Sequence, residues 1–151
     1  MSTAFLQCID EKCRRRYPLN NKEHVCAACK NLLDVTYDFP KTNAAALRQA
    51  WAQRKTSSAV VDQSGVWRFR ELLPFVPRAG NVVSLLEGRT PLIKVRRTGD
   101  WTGGAQLAVK HQGNNPTGSF KDLGMAACIT QAALVGSRIT ACASTGNTSA
   151  S

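Results

Sequence analysis

The stretch that most restricts the fold runs from Gln106 to Val135. Gln106-Leu107-Ala108-Val109-Lys110 is a short apolar run suited to a strand buried on both faces, whereas Phe120 to Val135 is long, alanine-rich and free of proline, which predicts a helix. Between them lies Asn115-Pro116-Thr117-Gly118-Ser119-Phe120-Lys121-Asp122, a turn built with Pro and Gly that sets one lysine at its mouth. Ser119 is a good N-cap with Asp122 three positions on, the acidic form of a capping box, so Lys121 falls in the first helical turn. There the positive end of the helix and its unpaired N–H groups attract anions and disfavour an ammonium, which suits an amine that reacts with an aldehyde. Gly118 removes a side chain beside it and leaves room for a flat ring.

Gly136 ends the helix, and Ile139-Thr140-Ala141-Cys142-Ala143 predicts a second buried strand followed by the small polar loop Ser144-Thr145-Gly146-Asn147-Thr148-Ser149. A strand-helix-strand unit crosses over right-handedly into a parallel pair, and both loops then emerge at one carboxyl edge. The expected fold class is therefore α/β, with a parallel βαβ unit and with Lys121 and Asn147 meeting in one crevice. Gly103-Gly104 reads as the turn of a hairpin that returns from a strand over Leu92 to Arg97.

The first forty residues carry a separate signal. Cys8 and Cys13, then Cys26 and Cys29, form two close pairs separated by twelve residues. Four thiolates spaced in this way fit a tetrahedral Zn²⁺, with each pair supplying one wall. The alternative is a set of reduced or disulfide-bonded cysteines without metal, and no secretory signal precedes the pairs to favour disulfides. His24 could replace a cysteine, but its place two before Cys26 reads as an exposed turn. Cys128 and Cys142 fall in the predicted helix and second strand, and both are expected in the core as small apolar fillers.

The formal net charge is +10, from 20 basic and 10 acidic residues; four thiolates (−4) around one Zn²⁺ (+2) would bring it to +8. Basic clusters stand at Arg14-Arg15-Arg16, Arg54-Lys55, Arg68/Arg70 and Lys94/Arg96-Arg97. A basic zinc ribbon is one route to nucleic acid, because phosphate neutralisation dominates such binding. The clusters are scattered, however, and no recognition helix follows the second cysteine pair, which favours a solvated basic face that attracts anionic small molecules. Thr42-Asn43 predicts the cap of a helix over Ala44 to Arg54, with Leu47 and Trp51 as its packing stripe. Thr56 to Ser58 and Asp62 to Gly65 read as loops, and Pro74 to Gly80 as an extended linker. No apolar run reaches transmembrane length, and with no export signal the expected location is the cytoplasm.

Four ordered blocks carry a resemblance. The run Asn115 to Asp122, the run Cys142 to Ser151, the block Gly65-Val66-Trp67-Arg68-Phe69-Arg70-Glu71-Leu72-Leu73-Pro74 and the block Leu86-Glu87-Gly88-Arg89-Thr90-Pro91-Leu92 resemble the threonine synthase family of pyridoxal-phosphate (PLP) enzymes, which has a tryptophan-synthase-β-like fold. The resemblance implies that Lys121 carries the cofactor as a Schiff base and shuttles protons. It implies that Asn147 and Phe120 contact the cofactor, with Asn147 on the phenolic oxygen. It places Ser144, Thr145, Gly146, Asn147 and Thr148 around the substrate α-carboxylate. The implied reaction converts O-phospho-L-homoserine and water to L-threonine and phosphate. A zinc ribbon ahead of the catalytic domain also accords with it, with Cys8, Cys13, Cys26 and Cys29 as ligands. Leu123 stands where the family usually has Arg, and Arg89 where it usually has Asn.

The expected organisation is a zinc-ribbon-like module over 1–40, a helical and linker region over 41–80, and over 81–151 the N-terminal part of a catalytic domain. The family is longer than this chain, so the expectation is an N-terminal fragment without the glycine-rich loop for the cofactor phosphate, inactive by itself and homo-oligomeric in its full-length form. The alternatives are another PLP lyase of the same fold, such as a threonine or serine dehydratase or a cysteate synthase, and a non-catalytic zinc-binding nucleic-acid module.

Overall fold

A computed structural model describes residues 3–39, 42–73, 75, 81–104 and 106–151, a mixed α/β arrangement. It opens with an antiparallel sheet in which β1 (Thr3–Cys8) lies between β2 (Arg16–Tyr17) and β3 (Leu33–Asp38). β1 pairs with β3 from Thr3 opposite Asp38 to Cys8 opposite Leu33. The Arg16 guanidinium lies 4.2 Å from the centre of the Phe5 ring, so part of the basic run covers an aromatic face of this sheet.

Next comes α1 (Ala44–Gln53). Asn43 caps it as expected, its Oδ1 accepting from the N–H groups of Ala45 at 2.9 Å and Ala46 at 3.4 Å. Trp51 packs edge-on to Phe69 at 5.1 Å and donates its indole N–H to Glu71 at 3.1 Å. A 3-10 turn at Arg54–Thr56 follows, then α2 (Val60–Gln63), which takes in Asp62 and Gln63 of the loop expected at Asp62 to Gly65, then a kinked 3-10 stretch at Trp67–Leu72. Trp67 is fully buried against Val66 and Ala126, with Leu73, Phe75, Val82 and Leu123 around them. Truncating such an indole typically costs about 3–5 kcal/mol.

The blocks around Gly65 and Gly88 touch. A Cβ on Gly65 would stand 2.6 Å from the Gly88 Cα, and the Gly65 N–H donates to the Glu87 carbonyl at 2.6 Å. Backbone meets backbone there, and only hydrogen fits between.

The remainder comprises β4 (Leu92–Lys94), α3 (Arg96–Trp101), β5 (Ala108–Lys110), α4 (Lys121–Leu134) and α5 (Asn147–Ala150). Helix α4 lies within one residue of its predicted bounds at each end. It closes with paired turn bonds, Gly136 N–H to the Ala133 carbonyl at 3.1 Å and Ser137 N–H to Ala132 at 2.9 Å.

Several expectations fail. β5 does pair antiparallel with β4, Ile93 opposite Val109, as the expected return from Leu92 implies, but residues 139–143 form no strand, with Ile139 87 % exposed. The parallel βαβ unit is therefore absent among the described residues. A parallel strand gains its backbone bonds only from neighbours on its flanks, and none lies beside 139–143. All three β5 residues are exposed rather than buried. The strand expected over Leu92 to Arg97 stops at Lys94. Gly103-Gly104 is not the tight turn between the two paired strands but closes α3, which lies in that connection, with Gly104 N–H bonded to Gly99 at 2.9 Å and Gly103 N–H to Asp100 at 3.2 Å, both glycines at positive φ. Cys128 and Cys142 are exposed, not core: α4 buries the face of Ala126 and Thr130, and the segment of Cys142 has no sheet to enter. Of the linker expected at Pro74 to Gly80, all but Phe75 lies outside the described residues.

Two acids hold the middle of the chain. Arg54 grips Glu71 through both guanidinium nitrogens and lies 3.8 Å from Asp62, which also pairs with Arg70 at 2.8 Å. The Arg54 bonds, helped by Trp51 against the opposing effect of burial, pull the Glu71 carboxyl from 4.5 to about 2. A depressed carboxyl stabilises the fold above its unfolded value and loses that contribution as pH falls toward the folded one. Glu71→Gln is expected to lower stability at pH 7 by on the order of 1 kcal/mol after allowance for solvent screening. In pH-resolved urea melts the gap between the variant and the parent chain should close between about pH 4.5 and pH 2; a gap that stays constant over that window would refute the assignment.

Candidate active site and thiol cluster

The turn before α4 is held from both sides. Asn115, buried, accepts the Gly88 N–H on its Oδ1 at 2.8 Å and donates to the Gln112 carbonyl at 2.8 Å. The Ser119 hydroxyl accepts from the Lys121 N–H at 3.2 Å, so it does cap the first turn. Asp122 does not complete the box. Its carboxylate turns back to Thr117, accepting the amide N–H at 2.9 Å and also the hydroxyl. Burial pushes the Asp122 carboxyl up, but the Thr117 bonds and a further one from Ser151 outweigh it and hold the group below its ordinary value.

Lys121 is the first residue of α4, half-buried, with its Nζ 4.9 Å from the centre of the exposed Phe120 ring. No acid pairs with it among the described residues. Gly118 sits at φ 80° with open space where a Cβ would stand. Asn147 begins α5, which packs against α4, and the Ser151 hydroxyl at its end lies 3.3 Å from the Thr117 hydroxyl. The structure thus brings the loops of Lys121 and Asn147 onto neighbouring helices, while no hydrogen bond joins the two side chains. Ser144 and Thr148 are half-buried, and Thr145, Gly146 and Asn147 are exposed. The loop is braced internally, the Ser144 hydroxyl accepting the Gly146 N–H at 3.2 Å and Ser149 donating to the Ser144 carbonyl at 2.7 Å.

The four cysteines of the sheet module converge. The sulfurs of Cys8, Cys13, Cys26 and Cys29 all lie within 4.8 Å of one another, Cys8 to Cys29 at 3.4 Å and Cys13 to Cys26 at 3.6 Å. A tetrahedral Zn²⁺ with bonds of about 2.3 Å sets its sulfurs about 3.8 Å apart, so this donor set fits a metal ion. Each pair ends in the same way: Arg14 and Lys30, the residues after Cys13 and Cys29, take φ of 45° and 63°. Three residues that spacing alone did not reveal support the cluster. Tyr17 holds its hydroxyl 3.2 Å from the Cys26 sulfur and accepts the Ala27 N–H, while Asn31 donates to Asp10 at 2.9 Å and ties the two turns together. The Tyr17 bond, joined by backbone N–H groups, lowers the Cys26 thiol to about 6, and burial pushes Cys8 up to about 12. His24 is exposed and outside the cluster. No described helix is long and apolar enough to cross a membrane.

Removing the Asp122 carboxylate should loosen the lysine turn. Asp122→Ala leaves the Thr117 N–H without its acceptor and is expected to cost about 1–3 kcal/mol, with faster amide exchange at Thr117 and Gly118 as the diagnostic. Unchanged exchange at these amides would show that the carboxylate does not hold the turn.

Comparison with known proteins agrees with the four blocks. Residues 83–151 match the family model of pyridoxal-phosphate dependent enzymes. Threonine synthase of Methanosarcina acetivorans is 41 % identical over 145 residues, 96 % of this chain and 32 % of that protein. That of Methanocaldococcus jannaschii is 39 % identical over 145 residues, 96 % of this chain and 33 % of its own length. That of Mycobacterium leprae reaches 51 % over 83 residues, 55 % of this chain and 22 % of its own. The chain spans about a third of the length of the first two. Residues 83–151 are thus similar to pyridoxal-phosphate dependent enzymes, and nearly all of the chain is similar to one third of a threonine synthase.

Proposed function

We propose that this chain contributes the lysine-bearing part of a threonine synthase, which converts O-phospho-L-homoserine and water to L-threonine and phosphate with the tryptophan-synthase-β-like fold. The observation that carries the reading is Lys121 itself, without an acidic partner among the described residues, at the mouth of a turn fixed by Asn115 and Asp122, within a region that matches PLP enzymes. The residues present fit the cofactor. Gly118 leaves open space beside the lysine, Phe120 offers an exposed ring, and Asn147 offers an exposed amide at the start of the neighbouring helix.

When bound, PLP withdraws electrons from the substrate Cα and makes its proton labile. The chain's own groups do the rest. Lys121 holds the cofactor and then moves protons among Cα, Cβ and Cγ of the substrate. Asn147 donates to the ring's phenolic oxygen. Ser144, Thr145, Gly146 and Thr148 present hydroxyls and N–H groups to the α-carboxylate near the N-terminal end of α5. Residues 1–40 form a zinc module on Cys8, Cys13, Cys26 and Cys29, residues 41–80 a helical connection, and 81–151 part of the catalytic domain. The location expected for such an enzyme is the cytoplasm.

The test replaces the matching third of the Methanosarcina acetivorans enzyme with these 151 residues. The chimera should release phosphate from O-phospho-L-homoserine and form threonine. Borohydride reduction with PLP should label Lys121, and Lys121→Ala should cut turnover by roughly 10²- to 10⁴-fold or more. Release of ammonia with no threonine would instead assign the chain to a dehydratase, and a label on another lysine would displace Lys121.

For the metal, the chain purified under reducing conditions should hold one zinc per molecule by plasma mass spectrometry. Cys26→Ser should lose it, and chelation should melt β1 to β3, as structural zinc contributes folding free energy directly. A reduced chain with no zinc and no affinity for added Zn²⁺ would end this assignment.

A further inference from the structure

Four segments distant in sequence bring cations to one place. Lys55 on the turn after α1, Arg68 on the Trp67–Leu72 stretch, Arg89 after Gly88 and Lys110 at the end of β5 line a cleft of about 350 Å³. Among the described residues no acid pairs with any of the four, because Asp62 and Glu71 are engaged by Arg54 and Arg70.

The partners these cations do have are neutral. Arg89 donates through one nitrogen to the carbonyls of Arg54, Lys55 and Asp62 at 3.2–3.3 Å, and Lys110 donates to the Thr90 carbonyl. Carbonyls orient the side chains without cancelling charge. Beneath the cleft, closed off from solvent, the Arg68 Nε and the Thr90 hydroxyl have no hydrogen-bond partner among the described residues. Burial, and then the nearby Arg89 charge, lowers the Arg68 pKa, so these two guanidinium groups repel across the cleft. Arg89 also sits at φ 50°, a backbone conformation that a non-glycine residue keeps only when its surroundings impose it.

Crowded like charges are relieved by one kind of ligand, an anion with several oxygens and more than one charge. We propose that the cleft of Lys55, Arg68, Arg89 and Lys110 binds a phosphoryl dianion. The volume admits a phosphate or the phosphoryl end of a small metabolite. The assignment does not rest on the proposed reaction, since it involves neither Lys121 nor the cofactor.

Calorimetric titration of the 151-residue chain at low salt tests it, with inorganic phosphate, O-phospho-L-homoserine and L-homoserine as separate probes. Phosphate should bind saturably, the affinity should fall as sodium chloride is added, and L-homoserine should show no binding. The Lys55 side chain has no hydrogen bond to lose among the described residues, so Lys55→Gln keeps the fold, while Arg68→Gln removes a guanidinium charge from the cleft. Each should weaken phosphate binding by about tenfold, with the circular dichroism of both variants unchanged in phosphate-free buffer. Tighter binding of O-phospho-L-homoserine than of phosphate would name the substrate's phosphoryl group as the ligand, and equal binding would name free phosphate. Absence of saturable phosphate binding, or folded variants that bind as well as the parent chain, would overturn the proposal.

Discussion

The structure between residues 60 and 91 depends on one buried carboxylate. Glu87 is fully excluded from solvent, and its oxygens accept from the hydroxyls of Ser64 and Ser84 and from the Leu85 N–H. The Ser64 hydroxyl in turn accepts the N–H groups of Val66 and Trp67, which starts the stretch that buries the Trp67 indole. A carboxylate taken out of water is tolerable only with such a complete set of donors. Next to it, Gly65 and Gly88 meet backbone to backbone, and Gly88 passes the arrangement on to Asn115 and so to the turn before Lys121. Packing, polar satisfaction and the placement of Lys121 are therefore one connected problem.

Helix α4 joins that network to the thiol module. Thr130 on α4 accepts the Val83 N–H at 2.9 Å, and Gln131 on the next position donates to the Leu19 carbonyl of the module at 3.1 Å. Leu6, Leu19, Leu33 and Val35 of the module face Cys128, Ala132 and Val135 of α4, with Phe75, across a cleft of about 540 Å³. The exposed Cys128 thus has a definite place on the module-facing side of α4.

Charge is organised by position, not by count. Within the run Arg14-Arg15-Arg16, Arg14 forms part of a cysteine turn and Arg16 lies on Phe5. Arg54 and Arg70 neutralise the two acids of the middle region. Lys55, Arg68, Arg89 and Lys110, far apart in the chain, share one cleft without an acid among the described residues, gathered by the contact of Gly65 with Gly88, the Arg89 bonds to the carbonyls of Arg54, Lys55 and Asp62, and that of Lys110 with Thr90.

Local rules sufficed for α1, α4, the caps at Asn43 and Ser119, and the grouping of the four cysteines, because each rests on bonds or ligand spacings within a few residues or on a chemistry that admits few geometries. The same reasoning missed Tyr17 and Asn31 beside the thiols, since a hydroxyl and an amide leave no periodic trace. It also put residues 139–143 in a parallel sheet and buried Cys142 there, although a strand exists only where a neighbour supplies its backbone bonds, and β5 takes β4 as that neighbour. The sequence by itself determined which residues could react or bind metal, through residue type and short spacing. Only the tertiary structure decided which of them stand together, which charges go unpaired and which strands find partners, because those outcomes are set by contacts between segments that no local pattern encodes.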